Sequence, residues 1–176
     1  MDLESKSIRL RLIETDDAEF VLGLRLDVSY NTFLSPVAAD LDKQVQWIRN
    51  YKAREAAAQE FYFIIERLDG VCCGTVRVYD IRDGHFTWGS WILNAEKTRY
   101  SAIESALMVY KFGFEILGLE KSTFEVVKEN LKVVGFHEKF GANRTGADAT
   151  NIYFELDRAD FKQRLPYFEG ILNGRQ

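Results

Sequence analysis

Prolines are nearly missing from this chain: 176 residues contain two, Pro36 and Pro166. So few breakers exclude a proline-rich linker and leave room for long regular elements. Cysteines also number two, the adjacent Cys72 and Cys73, which excludes a disulfide scaffold. Neighbours on a strand point to opposite faces, so the pair forms no ordinary structural bridge, and a reduced, cytoplasmic setting is expected. The two histidines, His85 and His137, lie far apart and show no metal-ligand spacing, so no metal is expected. Positive charge is in deficit, 23 Lys and Arg against 27 Asp and Glu, a net −4 with pI near 5.3. That balance argues against nucleic acid and anionic membranes as partners. No apolar run reaches membrane-span length and no signal-peptide pattern opens the chain, so neither membrane insertion nor secretion is expected.

What is present is a folding composition. Apolar residues make up 47% and aromatics 14%, too much for a disordered chain. The length suits a single domain over 1–176 with a sizeable core. Ile8, Leu10 and Leu12 alternate with Arg9 and Arg11, predicting a half-buried strand over 8–13. Asp16 with Glu19 predicts a helix start, with the helix running to about Leu26. A loop from Tyr30 to Ala39 follows, whose Tyr30 and Phe33 either cover a core or line a site. Leu41, Val45, Ile48 and Tyr51 mark the buried stripe of a second helix starting after Asp40. Strands are expected over Phe61–Glu66, Val71–Ile81 and Phe86–Leu93, joined by hairpins at Asp69-Gly70 and Asp83-Gly84. Residues 158–173 predict a short C-terminal segment interrupted by Pro166.

The stretch Trp88–Ala142 is where the chain concentrates its signals. Its strand runs into a polar loop carrying Lys97 and Arg99. Ser101 with Glu104 reads as a capping box. Ile103, Leu107, Tyr110, Phe114 and Leu117 then recur as one helical face, and Gly118 suits a C-terminal cap. A strand over about 121–127 and a shorter helix from Asn130 complete a βαβ unit. The first-turn amides of a helix, with two cations beside them, suit an anion. The same residues also describe an ordinary capped helix with solvated cations. The order is β-α-α-β-β-β-α-β-α-β, with one more strand near 142–147. That is an α/β (α+β) domain with a mixed central sheet and helices on both faces.

This region resembles the core of the GCN5-related N-acetyltransferase superfamily. That family carries a Q/R-x-x-G-x-G/A loop whose amides hold the pyrophosphate of acetyl-CoA. The matching residues are Lys97, Thr98, Arg99, Tyr100, Ser101 and Ala102. Lys97 replaces the usual Gln or Arg, Tyr100 replaces the first Gly, and Ala102 agrees. The family's later N-x-x-A/S…Y-E-K…G-F segment is echoed from Asn130 to Ala142. Asn130, Phe136, Glu138, Lys139, Phe140 and Gly141 match, while His137 stands for the usual Tyr and Ala142 for the usual Phe. The R-L-R-L start and the paired N-terminal helices resemble the branch acting on ribosomal-protein N-termini, amino sugars and similar amines. Glycine in such a loop permits positive φ or close phosphate approach, so Tyr100 either takes an ordinary φ or narrows the site.

The resemblance implies an acetyl-CoA-dependent N-acetyltransferase. The acceptor expected is the primary amine of a small polar molecule, with an amino sugar preferred, either free or linked to a nucleotide. A protein N-terminus as acceptor, and a CoA-binding module without catalysis, are the alternatives. The acceptor amine must lose a proton, the thioester oxygen needs donors, and the leaving thiolate needs a proton or a hydrogen bond. By resemblance the donors lie at the end of the family's fourth strand, here Trp91, Ile92 and Leu93. Asn130 would bond the pantetheine arm or serve as a plain helix N-cap. Glu125, five residues before Asn130, is the candidate base or else a solvated strand residue. His137, seven residues after Asn130, would serve the thiolate as an imidazolium or through a hydrogen bond, or else simply pack in its helix. The aromatic-rich strands and loops also admit a homodimer.

Overall fold

Alternation along β2 (Ile8–Leu12) turns Ile8 and Leu10 into the core and leaves Arg9 and Arg11 at the sheet's other side. The computed structural model describes residues 3–174. After a two-residue β1 (Leu3–Glu4), β2 leads through a 3₁₀ turn at Thr15–Asp17 into α1 (Ala18–Leu26). That turn differs from the sequence expectation. The carboxylate that stabilises it is Asp17, which accepts from the Glu14 amide at 2.8 Å and from both Arg11 terminal nitrogens. Helix α2 (Leu41–Ala56) starts where Asp40 accepts from the Lys43 amide at 3.0 Å. Ile48 and Tyr51 of its expected stripe are fully buried, but Leu41 is exposed, lying in the unpacked first turn. In the 27–40 loop, Phe33 is exposed and Tyr30 half-buried, so neither belongs to the core.

Strands β3 (Phe61–Arg67), β4 (Cys72–Arg82) and β5 (His85–Leu93) form the antiparallel meander. Asp83 and Gly84 both take positive φ, 48° and 81°, the conformation their two-residue hairpin demands. His85 is the first residue of β5, just past that turn. Helix α3 (Ser101–Lys111) runs on as a π-turn over Phe112–Ile116 and ends at Gly118. Gly113 sits against Phe86, where a Cβ would stand 2.2 Å from the ring, so only glycine lets helix and sheet approach here. β6 (Lys121–Val127), α4 (Leu131–Lys139), β7 (Asn143–Ala147), β8 (Asn151–Asp157) and α5 (Arg158–Leu172) complete the chain.

Pro166 does not interrupt the last segment: α5 is one helix of 15 residues containing it. Phe161 and Phe168 lie on either side of the proline, both buried. Phe168 stacks on Phe140, and Phe161 packs against Tyr110 and Phe114. Burying two phenylalanines is worth several kcal/mol, enough to offset the roughly 3 kcal/mol a proline costs inside a helix.

The eight strands lie in the order β1-β2-β3-β4-β5-β6-β8-β7, antiparallel throughout except for the parallel β5–β6 pair. One core packs α3, α4 and α5 against one face, and a smaller one packs α1 and α2 against the other. Cys73 joins the first core and Cys72 borders the second, so the two thiols do face opposite sides.

Candidate active site

The parallel pair is where the sheet opens. β5 and β6 are registered at His85–Lys121 and Phe86–Ser122 only, although both strands continue for several residues. Beyond Phe86 they diverge, leaving a passage between the two faces. A bulge in β5 accompanies the divergence. Thr75 pairs with Ile92 and Arg77 with Gly89, so Ser90 and Trp91 together oppose Val76. Ser90 takes φ +47°, uncommon for a residue with a side chain, and the Thr75 hydroxyl donates to its carbonyl at 3.0 Å.

Backbone alternation decides which amides face the passage. The Asn94 amide donates to the Cys73 carbonyl at 2.9 Å. In an antiparallel ladder every second residue turns the same way, so Ile92 also faces β4. The main-chain groups of Trp91 and Leu93 therefore point toward the diverged β6 edge. Of the three expected oxygen donors, Ile92 is thus directed away.

On the helical side of the passage lies His137. Its ring stands 5.2 Å from Trp88 of β5 and 4.2 Å from Phe124 of β6, bridging the two strands that separate. Phe136 and Phe154 close the remaining sides. His137 is 5% exposed and its Nδ1 is buried without a hydrogen-bond partner. Burial pushes its pKa down from 6.5 to about 3. The imidazolium expected as one option is therefore disfavoured near neutral pH. A neutral ring keeps one N–H donor.

On the opposite side, Glu125 lines a cavity of about 470 Å³ with Tyr79, Thr87, Thr123 and Tyr153. Glu125 is exposed, and no ion pair engages it among the described residues. The other two carboxylates of this cavity are occupied: Glu155 pairs with Lys121 at 2.7 Å and Asp80 with Arg82 at 3.1 Å. Tyr153 stands directly across from Glu125 on β8, its hydroxyl donating to Asp148 at 2.5 Å. That bond, with the Asn151 and Thr150 amides, holds the Asp148 carboxyl down to about 2. Tyr79, Thr87, Thr123 and Tyr153 are the wall residues that sequence reading missed. Strand alternation places Thr123 beside Glu125, but only the sheet order brings the other three alongside.

The loop before α3 departs from the expected capping box. The helix begins at Ser101, but its N-cap is Tyr100 and no side chain caps it. Ser101 instead accepts from the Thr98 amide at 2.9 Å, and its hydroxyl lies 2.8 Å from that of Thr98. Glu104 turns across to Ser7, accepting from its amide at 2.9 Å and from its hydroxyl. These bonds tie the loop to the β1–β2 turn and leave the first helical turn open to an external anion. Tyr100 sits at φ −108°, so replacing glycine there strains nothing, and its ring carries Arg99 at 5.2 Å. Lys97 and Arg99 are exposed. Ala102 is half-buried on the first turn of α3. Asn130 is the N-cap of α4, yet its side chain makes no capping bond and is free for another partner.

Residues 7–143 match the family model described as an acetyltransferase (GNAT) domain. The chain belongs to the GNAT family of acetyltransferases. Its sequence is 45% identical to that of FdhC, a nucleotide-linked sugar GNAT solved in its apo form. The two superpose with a TM-score of 0.88, over 99% of this chain and 97% of that one. A Vibrio cholerae spermidine N-acetyltransferase solved with CoA and spermine is 20% identical, with a TM-score of 0.74 over 88% of this chain and 98% of that one. A GCN5-related N-acetyltransferase from Brucella melitensis is 15% identical, with a TM-score of 0.79 over 97% and 84% of the two chains. These last two show the shared fold. Comparison with curated proteins gives no match.

GNAT enzymes use acetyl-CoA, and this chain's geometry fits it. An uncapped helix start flanked by Lys97 and Arg99 suits the phosphates. The unengaged Asn130 side chain and the outward-facing Trp91 and Leu93 main chain border the passage through which a pantetheine arm would reach. His137, buried with an unpartnered nitrogen between the diverging strands, lies where polar contact with such an arm is available.

Proposed function

We propose that this acetyltransferase modifies the primary amine of an amino sugar linked to a nucleotide, in the cytoplasm. The observation that carries it is the divergence of β5 and β6, with the buried His137 ring packed on Phe124 at one face of β6 and the cavity lined by Glu125 at the other. A volume of about 470 Å³ falls within the range of roughly 300–1,000 Å³ usual for small-molecule sites and suits one sugar ring. The 45% identity to a nucleotide-linked sugar GNAT supports the same acceptor class.

Acetyl-CoA supplies the activated acetyl group. Glu125 takes the proton that the acceptor ammonium must lose before its nitrogen lone pair attacks. The main-chain amides of Trp91 and Leu93 donate to the thioester oxygen as it gains negative charge. A carbon–nitrogen bond forms and the carbon–sulfur bond breaks; the leaving thiolate accepts a hydrogen bond from the neutral His137 imidazole and takes up the second proton, the one that the new amide nitrogen sheds. Lys97, Arg99 and the Ala102 amide hold the phosphates, with Thr98 and Ser101 fixing the loop through their mutual hydrogen bonds.

The test is thiol release from acetyl-CoA with three acceptors: a nucleotide-linked amino sugar, the same sugar without its nucleotide, and a short peptide with a free N-terminus. Turnover of the nucleotide-linked sugar well above the other two is expected. Preference for the peptide would overturn the acceptor.

A further inference from the structure

A second cavity, of about 220 Å³, lies on the same face of the sheet as the Glu125 cavity, under α1, α2 and the 27–40 loop. It is lined by Arg25, Ser35, Gln44, Trp47, Tyr62 and Arg77. Three of its polar atoms are buried without a hydrogen-bond partner: Arg25 Nε, Tyr62 Oη and Arg77 Nε. Unpaired buried polar atoms are costly, and three in the residues that line one space call for a ligand there.

The charge balance there is positive. The Arg25 guanidinium donates to the Ser35 carbonyl and hydroxyl, at 2.9 and 3.0 Å, both neutral. Arg77 pairs with Glu60, but Glu60 also holds Arg54 at 2.7 Å, so one carboxylate faces two guanidiniums. Burial raises the Tyr62 pKa, and the Thr75 hydroxyl beside it together with the Arg25 and Arg77 guanidiniums opposes that rise. Positive charge with several donors, in a half-enclosed space, recognises an anion.

The two cavities are coupled through β4. Arg77 lines the smaller one, and its guanidinium stacks on Trp47 at 5.6 Å and on Tyr79 at 5.0 Å. Tyr79, two residues on and about 7 Å along the strand, lines the larger one. A volume of about 220 Å³ is below the usual range for a whole ligand and suits one part of it.

The geometry points to a diphosphate subsite: Arg25, Arg77 and Tyr62 hold the diphosphate of the nucleotide-linked acceptor while its amino sugar occupies the Glu125 cavity. The assignment rests on the acceptor class proposed above. It explains why the chain places two half-buried arginines away from the acetyl-CoA loop.

The experiment is calorimetric titration of the full chain, saturated with CoA so that the cofactor's phosphate site is filled. The probes are uridine diphosphate and inorganic pyrophosphate. Both should bind, more weakly as salt rises. Arg25→Gln and Arg77→Gln should each weaken uridine diphosphate by about tenfold or more, and Tyr62→Phe by several fold, with CoA affinity unchanged. Should Arg77→Gln fail to fold, since it leaves Glu60 with a single partner, Arg25→Gln and Tyr62→Phe decide the matter. Binding of neither probe, or equal affinity in these variants, would overturn the subsite. If amino sugars are acetylated while the variants bind like wild type, only the subsite falls. If uridine diphosphate binds through Arg25 and Arg77 yet no amino sugar is acetylated, the acceptor reading falls and what stands is a diphosphate site without that acceptor.

Discussion

The Thr75 hydroxyl donates to the Ser90 carbonyl at 3.0 Å and holds β5 in its bulge. Thr75 is fully buried, and Ser90 is half-buried. The bulge sets which main-chain groups reach the passage, and Thr75 therefore governs catalytic geometry without touching substrate. Thr75→Val keeps the shape and removes the donor. It should cost roughly 1–2 kcal/mol of stability. It should also lower kcat by about tenfold or more while acetyl-CoA affinity holds, because a small displacement of an oxyanion donor weakens it steeply. Thermal unfolding together with steady-state kinetics checks both. A stability loss with unchanged kcat would make Thr75 a packing residue only.

Lys97 and Arg99 are exposed and carry no carboxylate partner among the described residues. Replacing both with Ala should leave stability within about 1 kcal/mol, the scale of a surface charge and one cation–π contact. Acetyl-CoA affinity should fall by at least about tenfold, and more at low than at high salt. Calorimetric titration at two ionic strengths measures it, and wild-type affinity in the double variant would move the phosphate site elsewhere.

His137 carries a pH signature. Its folded pKa of about 3 lies below the ordinary 6.5, so protonation favours the unfolded chain. The stabilisation is fully present above about pH 6.5 and is lost as pH falls toward 3. Its ceiling is on the order of 5 kcal/mol. His137→Phe should flatten the decline of stability with acid across that window, read by denaturant unfolding at several pH values. The same variant should lower kcat by roughly ten to a thousand fold, and His137→Tyr should recover part of the loss. Phe and Tyr variants turning over like wild type would leave His137 as a packed aromatic.

Glu125→Gln keeps the side chain's size and removes the base. The loss in kcat/KM should be steepest at low pH, where the acceptor amine is most fully protonated, with acetyl-CoA binding unaltered. A pH profile of the variant decides. An equal loss at every pH means that Glu125 positions the amine, and full activity means it is a solvated strand residue.

The chain's own periodicity determined most of the elements. Apolar spacing marked α2, α3 and β2, Asp83-Gly84 marked its hairpin, and Asn130 marked the start of α4, because these preferences act over a few residues. Loop and helix residues from Lys97 to Ala142 were enough to indicate the family. What tertiary structure alone decided lies between elements. The passage between β5 and β6 depends on a bulge at Ser90 that no local preference announces. Glu104 looked like the partner of Ser101 and instead reached Ser7, 97 residues away, because the sheet brings that turn alongside. Pro166 looked like a break, and the burial of Phe161 and Phe168 overrode it. His137 became a neutral ring only because Trp88, Phe124 and Phe154 exclude water from it. Arg25, Tyr62 and Arg77, from three separate elements, share a cavity only once α1 lies over β3 and β4. Local sequence sets which conformation each segment prefers, and burial and charge arise from segments distant in the chain that meet only in the folded state.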